Sequence, residues 1–234
     1  MRVAGVDGCK RGWLIVQAEQ RMRLELADVN IQPAFAEVLR RTGNCDAVGI
    51  DIPIGLSDDG RRAPDIAARQ VLRPLRHSSV FPAPIRPVLS ATSYREACTI
   101  SAAARPDGKM VSTQTYYLTR KIVEVDRIMS VDPSRQERVV EVHPEVCFWK
   151  LNGEQPIAHP KKTVDGANER LRLLSDAFED DLASVAVPRG AGREDLYDAC
   201  AAAWTASRVA YGSAVRLPAD PPIDARGLRM EIVY

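Results

Sequence analysis

Val3-Ala4-Gly5-Val6-Asp7-Gly8-Cys9-Lys10-Arg11-Gly12-Trp13-Leu14-Ile15-Val16 is the stretch on which the reading of the fold turns. Val3 to Val6 is an apolar run ended by a carboxylate, and Trp13 to Val16 is a second apolar run after a glycine-containing loop. Arg21-Met22-Arg23-Leu24-Glu25-Leu26 then alternates charged and apolar residues, the two-residue period of a half-exposed strand. Connections this short predict an antiparallel meander of three strands.

Outward from the meander, Phe35, Val38 and Leu39 mark a short amphipathic helix closed by Gly43. Ala47-Val48-Gly49-Ile50-Asp51-Ile52 is apolar except for Asp51, the pattern of a buried central strand, and Pro53 ends its ladder. Helices are expected over about 61–75, 114–128, 167–178 and 194–211. Arg138 to His143 reads as a strand, with Pro144 opening a helix that carries Val146, Phe148, Trp149 and Leu151. Leu228 to Val233 reads as a last short strand. Between the first two of those helices, a stretch with Pro74, Pro82, Pro84 and Pro87 is too long for an ordinary connection. It is read as a lid or packed insertion, around 74–110. The order predicts an α/β domain, a mixed sheet covered by helices, spanning 1–234 as one unit.

Composition narrows the function. The 234 residues are 27% charged and 45% hydrophobic, enough for a sizeable core and too apolar for wholesale disorder. A formal net charge of +1 excludes a globally basic nucleic-acid binder, so any such binding needs a local patch. No apolar run reaches the roughly eighteen residues of a membrane helix, and Asp7 comes too early for a signal-peptide core. The five cysteines are scattered, with no Cys-x-x-Cys pair, which predicts a reducing cytoplasm rather than disulfides or zinc.

Four carboxylates stand in unusual places. Asp7 and Asp51 end apolar strands, and Asp195 and Asp198, three apart, share a face of the last helix. The alanines at 199, 201, 202, 203 and 206 let that helix approach a sheet closely. Carboxylates gathered in one cleft persist as anions only around a cation. Oxygen ligands favour Mg²⁺ or Mn²⁺, and two such ions about 4 Å apart serve phosphodiester hydrolysis. Each residue also has a plain structural reading. Asp7-Gly8 is a turn former, Asp51 can open an Asp-Ile-Pro turn, and Asp195 can cap the helix. Asp198 lies deeper among alanines, where burial without a partner is costly.

Several motifs together resemble one family. They are Val-Ala-Gly-Val-Asp7-Gly-Cys-Lys-Arg-Gly-Trp13, Gly-Ile-Asp51-Ile-Pro-Ile-Gly-Leu56, Glu141-Val-His143-Pro-Glu145, Asp195-Leu-Tyr-Asp198-Ala-Cys-Ala-Ala-Ala-Trp-Thr and Pro-Ile-Asp224-Ala-Arg-Gly-Leu-Arg-Met-Glu-Ile. Their order across essentially the whole chain resembles domain of unknown function 429 (DUF429), an uncharacterised family of predicted RNase H-like nucleases. The resemblance implies an RNase H-like fold, a five-stranded mixed sheet flanked by helices, with strands one to three antiparallel and strand four beside strand one. The Asp-x-x-Asp-Ala helix is similar to that of the Holliday-junction resolvases, where such carboxylates hold divalent metals. Carried over, the metal roles fall on Asp7, Asp51, Asp195 and Asp198.

Glu141-Val-His143-Pro-Glu145 has no obvious counterpart in the resolvase pattern. Glu141 and His143 share a strand face, and His143 reads as a general base or as a histidine that braces a strand–helix corner. Residues 61–86 hold six arginines against one acid, Asp65. Arg61, Arg69 and Arg76 are candidates for phosphates, with Phe81 for stacking on a base and Lys10 and Arg11 for a phosphate near Asp7. The competing reading is a solvated basic face.

The expected function is therefore metal-dependent nucleic-acid hydrolysis. The alternatives are a small-molecule phosphotransferase or ATPase on a related core and a non-catalytic interaction protein. The expected partner is nucleic acid and not a membrane, and a homodimer is among the assemblies the sequence allows.

Overall fold

The computed structural model describes all 234 residues. β1 (Arg2–Cys9), β2 (Gly12–Gln20) and β3 (Leu24–Gln32) form the antiparallel meander. α1 (Phe35–Arg41) then carries the chain back, so that β4 (Ala47–Ile50) pairs parallel to β1, with Gly5 opposite Gly49. β5 (Val139–Glu141) adds parallel to β4, giving the order β3-β2-β1-β4-β5. Five mixed strands in this order, with helices on both faces, are the RNase H-like α/β arrangement.

Strand periodicity decides what each face carries. Ala4, Val6, Val48 and Ile50 point into a core with Phe35 and Val38 of α1 and with Ile122, Val125 and Met129 of α4 (Thr113–Met129). Val3 and Ala47 point the other way, into a core with α7 (Arg193–Ala210). Gly5, Asp7, Gly49 and Asp51 fall in step with Val3 and Ala47, so the sheet turns both aspartates toward α7.

How closely α7 approaches is set by two glycines. A Cβ on Gly5 would stand 1.9 Å from the Ala199 carbonyl oxygen, and one on Gly49 would stand 2.6 Å from that of Ala202. Helix backbone rests on strand backbone, and the buried alanines 199, 202, 203 and 206 complete the seam. α5 (Pro144–Leu151) and α6 (Val164–Ala177) cover the same face.

The expected helices form, with ends displaced by a few residues. The helix expected over 61–75 is shorter, as α2 (Ala63–Val71). The insertion is not wholly irregular, for α3 (Tyr94–Ala104) lies within it. Ser93 accepts from the Glu96 N–H, while Glu96 Oε2 accepts from the Thr92 N–H at 2.8 Å, a start signal present in the sequence. The tail strand is only β7 (Ile232–Val233), paired with β6 (Arg216–Leu217) in a separate two-stranded ribbon. No helix is long and apolar enough to cross a membrane.

Candidate functional site

The carboxyl ends of β1 and β4 lie side by side, because the Asp51 N–H continues the ladder onto the Val6 carbonyl at 3.0 Å. Asp7 is 7% exposed, and its Oδ1 accepts only the N–H of Gly8, next in the chain. α7, lowered onto the glycines, brings Asp198 to the same edge at 4% exposure. Burial first, and then Asp51 and Asp198, push the Asp7 carboxyl well above the usual range. Asp51 is pushed up to about 8 by burial and then by Asp198. Burial raises Asp198 as well, against the pull of Lys161. Asp198 acts on both Asp7 and Asp51, and Asp51 on Asp7, so the three share one pocket of field.

The counter-charge inside the chain is Lys161, whose Nζ donates to Asp198 Oδ2 at 2.9 Å. Burial weakens its charge, but Asp198, Asp7 and Asp51 outweigh that and its pKa rises. One ammonium facing three carboxylates leaves the edge short of positive charge. Oxygen donors alone, buried and mutually repelling, fit a hard divalent cation. The side chains as placed do not chelate one: no three His, Cys, Asp or Glu groups are arranged to hold a metal ion.

Two of the expected catalytic acids serve the frame. Both Glu141 oxygens are engaged by the buried Arg62 guanidinium, one at 3.0 Å, and Oε2 also accepts from the Ile54 N–H at 2.6 Å. Burial, opposed by Arg62, pushes Glu141 up to about 7. Glu141 therefore anchors the chain leaving β4, with both of its oxygens engaged. Asp195 Oδ2 accepts from the Gly192 N–H at 2.8 Å and closes the start of α7. Asp195 still contributes to the field on Asp7, but one of its oxygens belongs to the helix cap.

His143 precedes α5, and its Nδ1 is buried without a partner. Burial holds its pKa down at about 4, so at neutral pH the ring is uncharged beside Asp198. Glu145, two residues on, pairs with buried Arg170. The Glu141-to-Glu145 motif thus forms a wall of the acidic edge.

Most arginines of the basic stretch are engaged by the chain's own carbonyls and carboxylates, although only Arg62 is buried and Arg61 and Arg73 are exposed. Arg69 donates to the Val80 carbonyl at 2.7 Å, and Arg76 donates to the carbonyls of Ile157 and Ala158. Arg61 stands 3.9 Å from Asp107, and Arg86 pairs with Asp126 and Asp224. An irregular loop leaves carbonyls without ladder partners, and arginine supplies several donors at once. Lys10 and Arg11 are exposed beside the β1–β2 turn, with the Arg11 stem lying against Gly190. Phe81 remains 53% exposed. Lys161 was missed because nothing in its local pattern marks it; its partner lies 37 residues away.

Crowded acids make stability fall as protons leave. Asp51 titrates at its ordinary value in the unfolded chain and near 8 in the folded one, so between these the folded state holds the extra proton. His143 contributes only below its ordinary value of 6.5. With metal chelated, raising the pH from 6.5 to 8 is therefore expected to lower Tm by about 5 °C. Mn²⁺ added at pH 8 should restore it, as read by scanning calorimetry. A flat Tm over that range, unmoved by Mn²⁺, would show that the acids are not crowded.

The family described as protein of unknown function (DUF429) matches residues 5–223. Two solved structures are similar to the chain. The structure of T. thermophilus RuvC in complex with Holliday junction substrate is 14% identical with a TM-score of 0.43, covering 91% of this chain and 97% of that one. A second Thermus thermophilus RuvC structure is also 14% identical, with a TM-score of 0.41 and coverage of 91% and 98%. No curated protein matches.

Proposed function

The chain belongs to the DUF429 family, and from that premise we propose that it hydrolyses phosphodiester bonds of nucleic acid with a divalent cation, Mg²⁺ or Mn²⁺. The observation that carries the reading is the meeting of Asp7, Asp51 and Asp198 at the carboxyl ends of two parallel strands, where, beyond burial, Asp51 and Asp198 raise the pKa of Asp7 and Asp198 raises that of Asp51. Open α/β sheets place their ligands at this edge.

Asp7, Asp51 and Asp198 would hold the cation, with Asp195 beside them through its second oxygen. When bound, the cation supplies a lowered pKa for water and charge stabilisation for the leaving oxygen. Lys161 neutralises Asp198, and its ammonium would be offered to a phosphate were Asp198 to hold the cation. His143, uncharged at neutral pH, borders Asp198 without adding positive charge. Arg62 and Glu141 fix the segment that follows Asp51.

The test is incubation with end-labelled single strands, duplexes and four-way junctions, of DNA and of RNA, in Mg²⁺ or Mn²⁺. Cleavage of at least one, blocked by EDTA, is expected. Intact substrates throughout would sink the reading.

A further inference from the structure

We propose that the cleft between the proline-rich stretch and the start of α4 holds one unpaired nucleobase of the strand being cut, an inference that rests on the nuclease reading and names its substrate class. The cleft has a volume of about 350 Å³, and Pro53, Phe81, Pro82, Pro84, Tyr117 and Lys121 line it. Phe81 is 53% exposed and Tyr117 is 69% exposed. Two exposed aromatic faces thus line one cleft.

Its place in the fold gives the occupant. Pro53 lies two residues beyond Asp51. At the same end, the Lys121 stem runs over Gly8, where a Cβ would come within 3.0 Å of its Cδ. The cleft therefore opens beside both strand ends of the acidic edge. The Lys121 ammonium donates to the Gly12 carbonyl and sits 4.3 Å over the Trp13 ring, with further N–H donors free for a backbone phosphate.

A strand whose phosphate reaches the acids would bring an adjoining base to this cleft. Prolines give it a stiff rim, and flat aromatic faces suit any base, since every base has a π-face. Gln114, also in the lining, offers both a donor and an acceptor, which favours no single base. A base paired within a duplex cannot enter. The substrate is thus nucleic acid with an unpaired base next to the cleaved bond: a single strand, a flap or an opened junction.

Fluorescence anisotropy tests this in EDTA, where nothing is cut, with the full chain and labelled strands of about twelve nucleotides. One strand is oligothymidine and the other is abasic at every position with the same phosphates. The base-bearing strand should bind about tenfold tighter. Tyr117→Ala and Phe81→Ala should each remove most of that difference while leaving abasic binding unchanged, and Tyr117→Phe should keep it. Both residues are exposed, so these variants are expected to fold. Equal affinity of the two strands, or discrimination that survives both alanine variants, would overturn the proposal and leave the cleft to an apolar peptide. The same strands in Mn²⁺ separate this from the parent reading. Cleavage without base discrimination removes the base site and keeps the nuclease, and discrimination without cleavage does the reverse.

Discussion

Asp198→Asn should reduce cleavage by at least about a thousandfold, the scale of removing a charge-stabilising group from a catalytic centre. The amide keeps the volume of the side chain but removes the charge that would hold a cation, at the point where α7 meets both strand ends. Folding should survive. The carboxylate is already unfavourable where it stands, raised by burial, and Lys161 is exposed enough to turn its ammonium to water. Thermal unfolding within a few degrees of the parent, alongside lost cleavage, is the expected pair of results. Undiminished cleavage by a folded variant would remove Asp198 from the mechanism. Asp7→Asn and Asp51→Asn should behave alike, since the three act as one site.

The largest stability effect is expected at Arg62. Its guanidinium, 1% exposed, holds Glu141 and Asp65 and donates to the Ile54 carbonyl at 3.1 Å, while Asp65 Oδ2 accepts from the Ala83 N–H at 2.8 Å. One cation thus ties β5, the segment after β4, α2 and the proline-rich stretch together. Arg62→Met leaves two buried carboxylates without their partner, a loss of about 3–5 kcal/mol. Replacing Glu141 and Asp65 by leucine in the same chain should recover much of it, because no unpaired charge remains. Urea denaturation measures both. A loss below about 1 kcal/mol for Arg62→Met would mean that water reaches the pair.

Which parts of the site were legible follows from how local their causes are. Asp7 and Asp51 each end an apolar run, and the two-residue period fixes the face they share. Asp198 stood out among alanines that have no reason to surround a charge. Asp195 carried two local signals, helix start and acidic motif, and its bond to the Gly192 N–H answers to the first. Glu141 has a structural partner that its own motif does not reveal, 79 residues earlier, in Arg62. The arginines of 61–86 are a related case. Their charge is visible in sequence, whereas the carbonyls that engage them exist only once the loop has folded. α3 is the opposite case, since Ser93 and Glu96 mark its start locally, next to a stretch whose four prolines favour irregular chain.

The two glycines under α7 carry no chemistry, yet they calibrate it. The height at which the helix rides above the sheet fixes the gap that Asp198 must bridge to reach Asp7 and Asp51. A single methyl at position 5 or 49 would jack up the entire rod, widening that gap from beneath. The reach of the acids is therefore written in missing side chains. A survey of substitutions scored only for foldedness would file Gly5 and Gly49 under scaffold and overlook that they act as the ruler of the centre.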